Sequence, residues 1–299
     1  MNLRPITAAD LPACVEVYFA AEDELYERLN LPPLPRSGQA LFTIFRHILA
    51  TDPGLAWLAE TDGEVTGFGL GARRDRLNYL SFLFVRPDRQ SRGVGRRLLS
   101  RCLPADGYRA TCVEAVQPVS TALYAAHGMV PRTPIYTLIG QPSHELAGLP
   151  PDLGLEPLDD TEAGRQEALT AVDRIDRQVL GISRRQDHSA WLSWGRRLFM
   201  VRRLAGAGRV VGYGYAHPSG RFGPLVVDDE ALLLPLVGEL MRKLRAIDAW
   251  QVNVPGPAKD TLMALLAAGL RLDGPPAIYC ASEPRPDHAR YLPVTLALP

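Results

Sequence analysis

Apolar side chains in the first half of the chain recur at two different spacings. Between residues 8 and 30 they return near every third or fourth position, as at Leu11, Val15 and Tyr18, which buries one face of a helix. The run 78–85 is almost wholly apolar, which is typical of a strand covered on both faces of a sheet. The same reading predicts helices at residues 8–30, 38–50, up to 101 and 120–127, and strands ending near residue 6 and at 55–60, 64–73, 78–85, 110–116 and 132–139.

A hairpin stands at the centre of this β-α-α-β-β-β-α-β-α-β order. Thr61, Asp62 and Gly63 join its two strands, since Asp-Gly is a strong turn signal. The second strand contains a Gly-x-Gly-x-x-Ala sequence over residues 67–72, which resembles a dinucleotide-binding pattern. Because these residues lie within a strand and open no helix, we expect them to mark a bulge or a close backbone approach instead.

The second half of the chain repeats the first. Residues 3–10 resemble residues 155–162, and the hairpin segment 64–70 resembles 209–215. A third pair, residues 124–129 and 265–270, follows in the same order. The stretch between the copies is rich in proline and glycine, as linkers are. The sequence therefore predicts domains at residues 1–140 and 154–299, joined by a linker at 141–153.

Composition and charge exclude several classes of protein. The 299 residues carry 33 basic and 33 acidic side chains, so we expect no nucleic-acid partner. No apolar run reaches the roughly 18–20 residues that span a bilayer, and no apolar leader is visible, so we expect no membrane partner. The four cysteines lack metal-ligand spacing, which favours a reduced, cytoplasmic protein without a metal.

The segment after the apolar strand carries the strongest chemical signal. Pro87 takes the chain out of the sheet, and Gly93 and Gly95 stand where the next helix begins. Glycines at a helix start let backbone N–H groups point outward, and the helix dipole adds positive potential, which suits a pyrophosphate. A single acid, Asp88, stands among six arginines. These arginines are Arg86, Arg89, Arg92, Arg96, Arg97 and Arg101.

The spacing of Val85, Pro87, Gln90, Gly93 and Gly95 resembles the signature of the GNAT superfamily of acyl-CoA-dependent N-acyltransferases. The preceding hairpin and the later segment 122–129 resemble that family in order and spacing as well. The resemblance implies an α/β (α+β) fold of two tandem GNAT-like domains. Each would have a mixed, mostly antiparallel central sheet flanked by helices.

The resemblance also implies roles for particular residues. The strand edge would pair with the pantetheine arm, the loop and helix start would hold the pyrophosphate, and Gln117 would lie near the cofactor. Tyr124 would protonate the departing thiolate, since a phenol has a comparable pKa. The cofactor-binding residues implied are Leu83, Phe84, Val85, Gln90, Ser91, Arg92, Gly93, Val94, Gly95, Arg96 and Gln117.

The general base is less well defined by the sequence. Glu114 follows Cys112 by two positions, so both share one strand face, and Glu114 is our candidate. A half-exposed glutamate paired with an arginine is the structural alternative, and a water chain could replace a protein base. Cys112 is disfavoured as a nucleophile because an apolar strand raises a thiol pKa.

The second copy lacks the residues that carry this chemistry. Asp228, Asp229 and Glu230 stand where the arginines and glycines should be, and acids there repel a pyrophosphate. Leu265 occupies the place of Tyr124. We therefore expect an active N-terminal GNAT domain and a degenerate C-terminal one.

Together these features predict an N-acetyltransferase. It would transfer the acetyl group of acetyl-CoA, its cosubstrate, to a primary amine by direct attack, without a metal. The acceptor would be a small molecule or a peptide, and the protein a monomer or homodimer. Two alternatives stay open: a non-catalytic acyl-CoA-binding module, and an acyltransferase that uses a longer acyl-CoA.

Overall fold

The computed structural model describes residues 1–33, 36, 38–205, 208–244 and 246–299. Ser37, a sequence-predicted cap of the second helix, lies outside them. The chain divides into two compact units. One comprises residues 1–111 with Leu298, and the other residues 112–297 with Pro299. The contacts thus divide the chain after residue 111, whereas the sequence repeat predicts domains at residues 1–140 and 154–299. The domains predicted from the repeat stay a prediction.

The first unit is built on a five-stranded sheet in the order β1-β2-β3-β4-β5. All its strand pairs are antiparallel except β4 and β5, which are parallel. The last strand, β5, continues into the second unit. The elements are β1 (Asn2–Pro5), α1 (Leu11–Arg28), α2 (Gln39–Thr51), β2 (Ala56–Thr61), β3 (Glu64–Arg74), β4 (Leu77–Val85), α3 (Val94–Cys102) and β5 (Tyr108–Glu114).

The first helix begins three residues later than its apolar pattern predicts. Residues 8–10 form a single 3₁₀ turn, and the Asp10 carboxylate accepts a hydrogen bond from the Thr7 N–H at 2.8 Å. Pro12 then stands in the first turn of α1, where its missing N–H costs nothing. The elements predicted for the first copy are otherwise present, with ends shifted by a few residues.

Helices cover both faces of this sheet. On one face, Phe45 of α2 contacts Phe68 and Phe82, with ring centroids 5.3 and 4.8 Å apart. On the other face α3 packs directly on β3. A Cβ atom at Gly69 would lie 2.6 Å from the Cys102 sulfur, and one at Gly71 would overlap the Cys102 carbonyl oxygen. The close backbone approach expected for these glycines is confirmed.

The second unit begins with the last elements of the first copy, including α4 and β6. From β7 onward its helices and strands follow the same order as those of the first copy. It contains two groups of strands, β13-β6-β11 with β12 also paired to β6, and β14-β10-β9-β8-β7. The elements are α4 (Pro118–Ala126), β6 (Val130–Gly140), β7 (Leu153–Pro157), α5 (Glu162–Val179), α6 (Arg185–Ser193), β8 (Arg197–Arg203), β9 (Val210–Ala216), β10 (Phe222–Val227), α7 (Leu233–Lys243), β11 (Trp250–Pro255), α8 (Lys259–Ala267), β12 (Arg271–Leu272), β13 (Ala277–Ala281) and β14 (Tyr291–Leu292).

Strand β6 of the first copy lies between strands of the second. Ile135 pairs with Ala277 of β13 on one side and with Pro255 of β11 on the other. Both ladders are antiparallel and together follow nearly the whole length of β6. The last strand of the first copy therefore has its hydrogen-bonding partners on both edges from the second copy.

Candidate active site

Strands β4 and β5 separate part-way along their length. Their parallel ladder runs from the pair Leu77–Tyr108 to the pair Leu80–Thr111 and ends there. The Thr111 hydroxyl donates to the Leu80 carbonyl at 2.8 Å and closes the last paired position. The remaining residues of β4, from Ser81 to Val85, stay paired to β3 alone within the first unit. This leaves an open strand edge.

A β-bulge marks the point of separation. The β3–β4 register shifts between the pairs Leu70–Phe82 and Gly71–Leu80, so Ser81 is the extra residue. Its Oγ atom is buried and has no hydrogen-bond partner within the described residues. Sequence reasoning missed Ser81, because its position becomes special only through the register of β3 against β4.

The open edge presents two of the three strand residues predicted to hold the pantetheine arm. The Arg86 N–H donates to the Thr66 carbonyl of the neighbouring strand at 2.9 Å. Because strand residues turn their N–H and C=O groups alternately to opposite sides, Leu83 and Val85 face the open side. Phe84 turns its backbone toward β3, and its ring lies 4.8 Å from the Tyr18 ring of α1.

The loop after β4 is held to the strand by Gln90. Its side-chain amide donates to the Val85 carbonyl at 3.1 Å. A short 3₁₀ turn over residues 87–89 lies between them, and the Arg89 N–H donates to the Arg86 carbonyl. In this structure Gln90, predicted to bind the cofactor, fixes the path of the loop.

The start of α3 is the segment for which the sequence predicts an anion cradle. Gly93 precedes the helix with a φ of +76°, and Ser91 has a φ of +63°. The first N–H groups of any α-helix have no partner within the helix, and here they belong to Val94, Gly95 and Arg96. A Cβ atom at Gly93 would meet nothing within 4 Å, so the space before the helix is open. Arg92 and Arg96 are exposed beside it.

The six arginines of this segment divide into three that contact a nearby side chain and three exposed ones at the start of α3. Arg86 and Arg89 both contact Asp88, at 3.1 and 3.3 Å. The Arg101 guanidinium lies over the Trp57 ring, 5.0 Å from its centroid. The remaining three, Arg92, Arg96 and Arg97, are exposed at the helix start or on its first turn. The positive charge nearest the first N–H groups of α3 therefore comes from the three exposed arginines.

The predicted acid, Tyr124, belongs to the second unit, as do Glu114 and Gln117. Tyr124 is 5% exposed, and burial, with Cys280 adding to it, raises the pKa of its phenol well above the ordinary value. The phenol is therefore protonated throughout the neutral range, which an acid requires. Gln117 caps α4, and its N–H donates to the Glu114 carbonyl at 3.0 Å.

Glu114 has the environment of a proton acceptor. It alternates with buried Val113, and it shares a face with Cys112, as the strand period requires. Burial raises the pKa of its carboxyl. A carboxylate with a raised pKa is a better base near neutral pH than an ordinary surface glutamate.

Replacing Glu114 with glutamine should stabilise the protein at neutral pH. A raised pKa means that the folded state holds the proton more tightly, so this group's contribution to stability is lost as pH rises through the folded pKa. Glutamine keeps the shape and never ionises. Thermal melts should therefore show a higher Tm for Glu114→Gln at pH 7–8, and the gain should vanish below the ordinary pKa of 4.5. An equal change at all pH values would contradict the raised pKa.

The second copy differs at the matching helix start. The Asp229 carboxylate accepts a hydrogen bond from the Ala231 N–H at 3.1 Å, so a side chain of the chain itself occupies the anion position. Leu265, which replaces Tyr124, is fully buried. Trp191 and Arg184 of the second copy are core residues.

Residues 22–129 match the model of the Acetyltransferase (GNAT) family. Comparison with curated protein sequences gives no match.

Solved structures share the fold of nearly the whole chain. A putative acetyltransferase from Pyrococcus horikoshii has a TM-score of 0.74 at 19% identity, covering 99% of this chain and 95% of its own. A GCN5-related N-acetyltransferase from Sphaerobacter thermophilus gives 0.61 at 19% identity, covering 95% and 96%. A tandem GNAT protein from the clavulanic acid biosynthesis pathway gives 0.60 at 18% identity, covering 95% and 99%.

These likenesses show the fold of a tandem GNAT protein, so the predicted fold class is confirmed. Acyl transfer is the general activity of the family whose model residues 22–129 match. No helix of the described residues is both long and apolar enough to cross a membrane. The described residues also contain no group of three or more histidine, cysteine, aspartate or glutamate side chains that could hold a metal ion.

Proposed function

We propose that the protein is an N-acetyltransferase that transfers the acetyl group of acetyl-CoA to a primary amine. The observation that carries the proposal is the open edge of β4 beside the N-terminus of α3. The edge offers the backbone groups of Leu83 and the N–H group of Val85 to an extended pantetheine arm. The helix start offers N–H groups, Arg92 and Arg96 to a pyrophosphate.

The chemistry assigned to this chain's residues is a direct transfer. As the amine nitrogen bonds to the thioester carbon, the carbon–sulfur bond breaks and Tyr124 gives its phenolic proton to the departing sulfur. The proton released by the amine passes to Glu114 through water. A backbone N–H of the open edge stabilises the oxygen that gains negative charge. The raised pKa of the Glu114 carboxyl supports its role as proton acceptor.

The acceptor in this proposal is a small molecule or peptide that carries a primary amine. The experiment is therefore a release assay for free thiol, run with acetyl-CoA against a panel of polyamines, amino sugars, amino acids and peptides. Parallel runs with longer acyl-CoA donors test the choice of acyl group. Calorimetric binding of acetyl-CoA without turnover on any amine would favour a binding module over an enzyme.

Replacing Tyr124 with phenylalanine should lower kcat with little change in acetyl-CoA affinity. The ring still fills the same buried volume, and only the proton donor is lost. General acid catalysis contributes about 10²–10⁴-fold, so we expect a loss of at least tens-fold when chemistry limits turnover. Turnover at the wild-type rate would contradict the role of Tyr124.

A further inference from the structure

Strand β10 of the second copy corresponds in detail to β4. In the sequence repeat, Gly212 matches Gly67, and these glycines lie opposite Val227 and Val85. Leu225 therefore corresponds to Leu83, one of the residues that face the open edge. The register of β10 also shifts between Phe222 and Leu225, as the register of β4 shifts around its bulge.

The second copy also separates its β10 and β11 strands. In the described residues their pairing is a single parallel bridge between Arg221 and Gln251. The Gln251 N–H donates to the Gly220 carbonyl at 2.9 Å. Within the described residues no further pairing joins β10 to β11, just as none joins β4 to β5 after Leu80. The second copy thus has the same groove as the first, formed by equivalent residues.

Residues 290–294, here called the plug segment, fill this groove. Within it, Leu292 pairs with Leu225 and Tyr291 with Val226 in an antiparallel ladder. The Val227 N–H, which corresponds to that of Val85, donates to the Arg290 carbonyl at 3.1 Å.

The groove's other side also holds the plug segment. The Asn253 side chain of β11 donates to the Pro293 carbonyl at 3.3 Å. The plug segment therefore has hydrogen bonds to both strands that border the groove.

A buried ion pair, Arg184 with Asp176, is hydrogen-bonded to the plug segment. The Arg184 guanidinium, which is fully buried, donates to the Tyr291 hydroxyl at 3.2 Å and to the Pro299 carbonyl at 2.6 Å. Its Nε atom donates to the Asp176 carboxylate at 2.7 Å. Burial acts to raise the pKa of Asp176, but Arg184 and His188 outweigh it and hold that pKa below its ordinary value. The pair thus stays ionised beneath the segment.

We propose that the plug segment is an internal ligand of the second copy, a β-strand that permanently occupies the groove corresponding to the proposed acyl-CoA site. Leu292 is 0% exposed, which a loosely bound strand would not be. Asp229 occupies the anion position of the same copy. The second groove is therefore a peptide-binding site whose occupant is this chain. The statement that this groove corresponds to an acyl-CoA site rests on the proposed function. The statement that the plug segment occupies the groove does not.

Hydrogen–deuterium exchange on the full chain tests the occupancy. The amides of residues 290–294 and of Val227 should exchange at least ~100-fold more slowly than in an unstructured peptide, because the ladder and burial protect them. Saturating acetyl-CoA should leave these amides unchanged and should slow exchange over residues 81–96.

The possible outcomes separate the two proposals. Fast exchange of the plug segment in the ligand-free protein, or its deprotection by acetyl-CoA, would overturn the internal-ligand inference. A protected plug segment with no response at residues 81–96 would leave that inference intact and contradict the acyl-CoA site.

A reversible tether gives a second, independent measurement. In the double variant Leu225→Cys with Leu292→Cys, the cysteines stand opposite each other, at a separation that a disulfide can bridge. Oxidised glutathione should join the two thiols, and peptide mapping should locate the bond. Leu225→Cys alone is the matched control.

Tethering should not change acetyl-CoA binding. We expect one acetyl-CoA per chain in both the oxidised and the reduced double variant, with Kd values within about twofold. Recovery of a second binding event on reduction would show that acyl-CoA can displace the plug segment, and would overturn the inference. Failure of the two thiols to join would overturn it as well, since it would place the segment elsewhere.

Discussion

Replacing Gly93 with aspartate should abolish binding of acetyl-CoA without unfolding the protein. Gly93 has a left-handed backbone, which aspartate tolerates better than most residues, and aspartate is a favourable residue immediately before a helix. Its carboxylate would take the open N–H groups, as Asp229 does in the second copy. It would also repel the pyrophosphate.

The expected size of this effect follows from the charges. Two unit charges 4 Å apart near a protein surface interact by about 4 kcal/mol, which is roughly a thousandfold in Kd. Isothermal titration calorimetry measures it directly. Gly93→Asn is the matched control, because asparagine has the same shape and the same tolerance of positive φ without the charge. Equal affinities of the two variants would contradict an anion site at Gly93.

A protein consisting of residues 1–140 alone should fail to fold into a soluble monomer. Its last strand, β6, has 11 residues, and its ladders to β13 and β11 both come from the second half of the sequence. Removing that half exposes both edges of an apolar strand, which favours aggregation. Size-exclusion chromatography and thermal melts should show aggregates and no cooperative transition.

A nicked chain is the control for this prediction. A protease site inserted between the exposed residues His144 and Glu145 leaves every strand pair in place. After cleavage the two fragments should remain together on the column and melt in one cooperative transition. A monomeric, cooperatively folded 1–140 fragment would contradict the role assigned to β6.

Local signals in the sequence predicted much of the first copy. The Asp-Gly turn fixes the β2–β3 hairpin, and the apolar run fixes β4. Gly93 marks the start of α3, because positive φ there requires a residue such as glycine. Each of these features depends on a few neighbouring residues, so a single sequence is enough to find it.

Features that depend on long-range register could not be predicted in this way. Nothing within residues 130–140 specifies that Ile135 will pair with both Pro255 and Ala277. The two-residue strand β14 is too short to show a periodic pattern, and its partner in β10 becomes evident only from the fold. Ser81 and Arg184 are similar cases, since register and burial give each its environment.

The packing of α3 on β3 has a consequence for the opposite end of the helix. Cys102 ends α3 and rests on Gly69 and Gly71, whereas Gly93 precedes its first residue. Nine residues of helix form a stiff rod about 13 Å long. A larger side chain at Gly69 or Gly71 would lift the C-terminal end of α3, where Cys102 lies. The helix would then tilt, and its dipole would point in another direction. The direction in which the N–H groups at the start of α3 point therefore depends on Gly69 and Gly71, which lie at the other end of the helix.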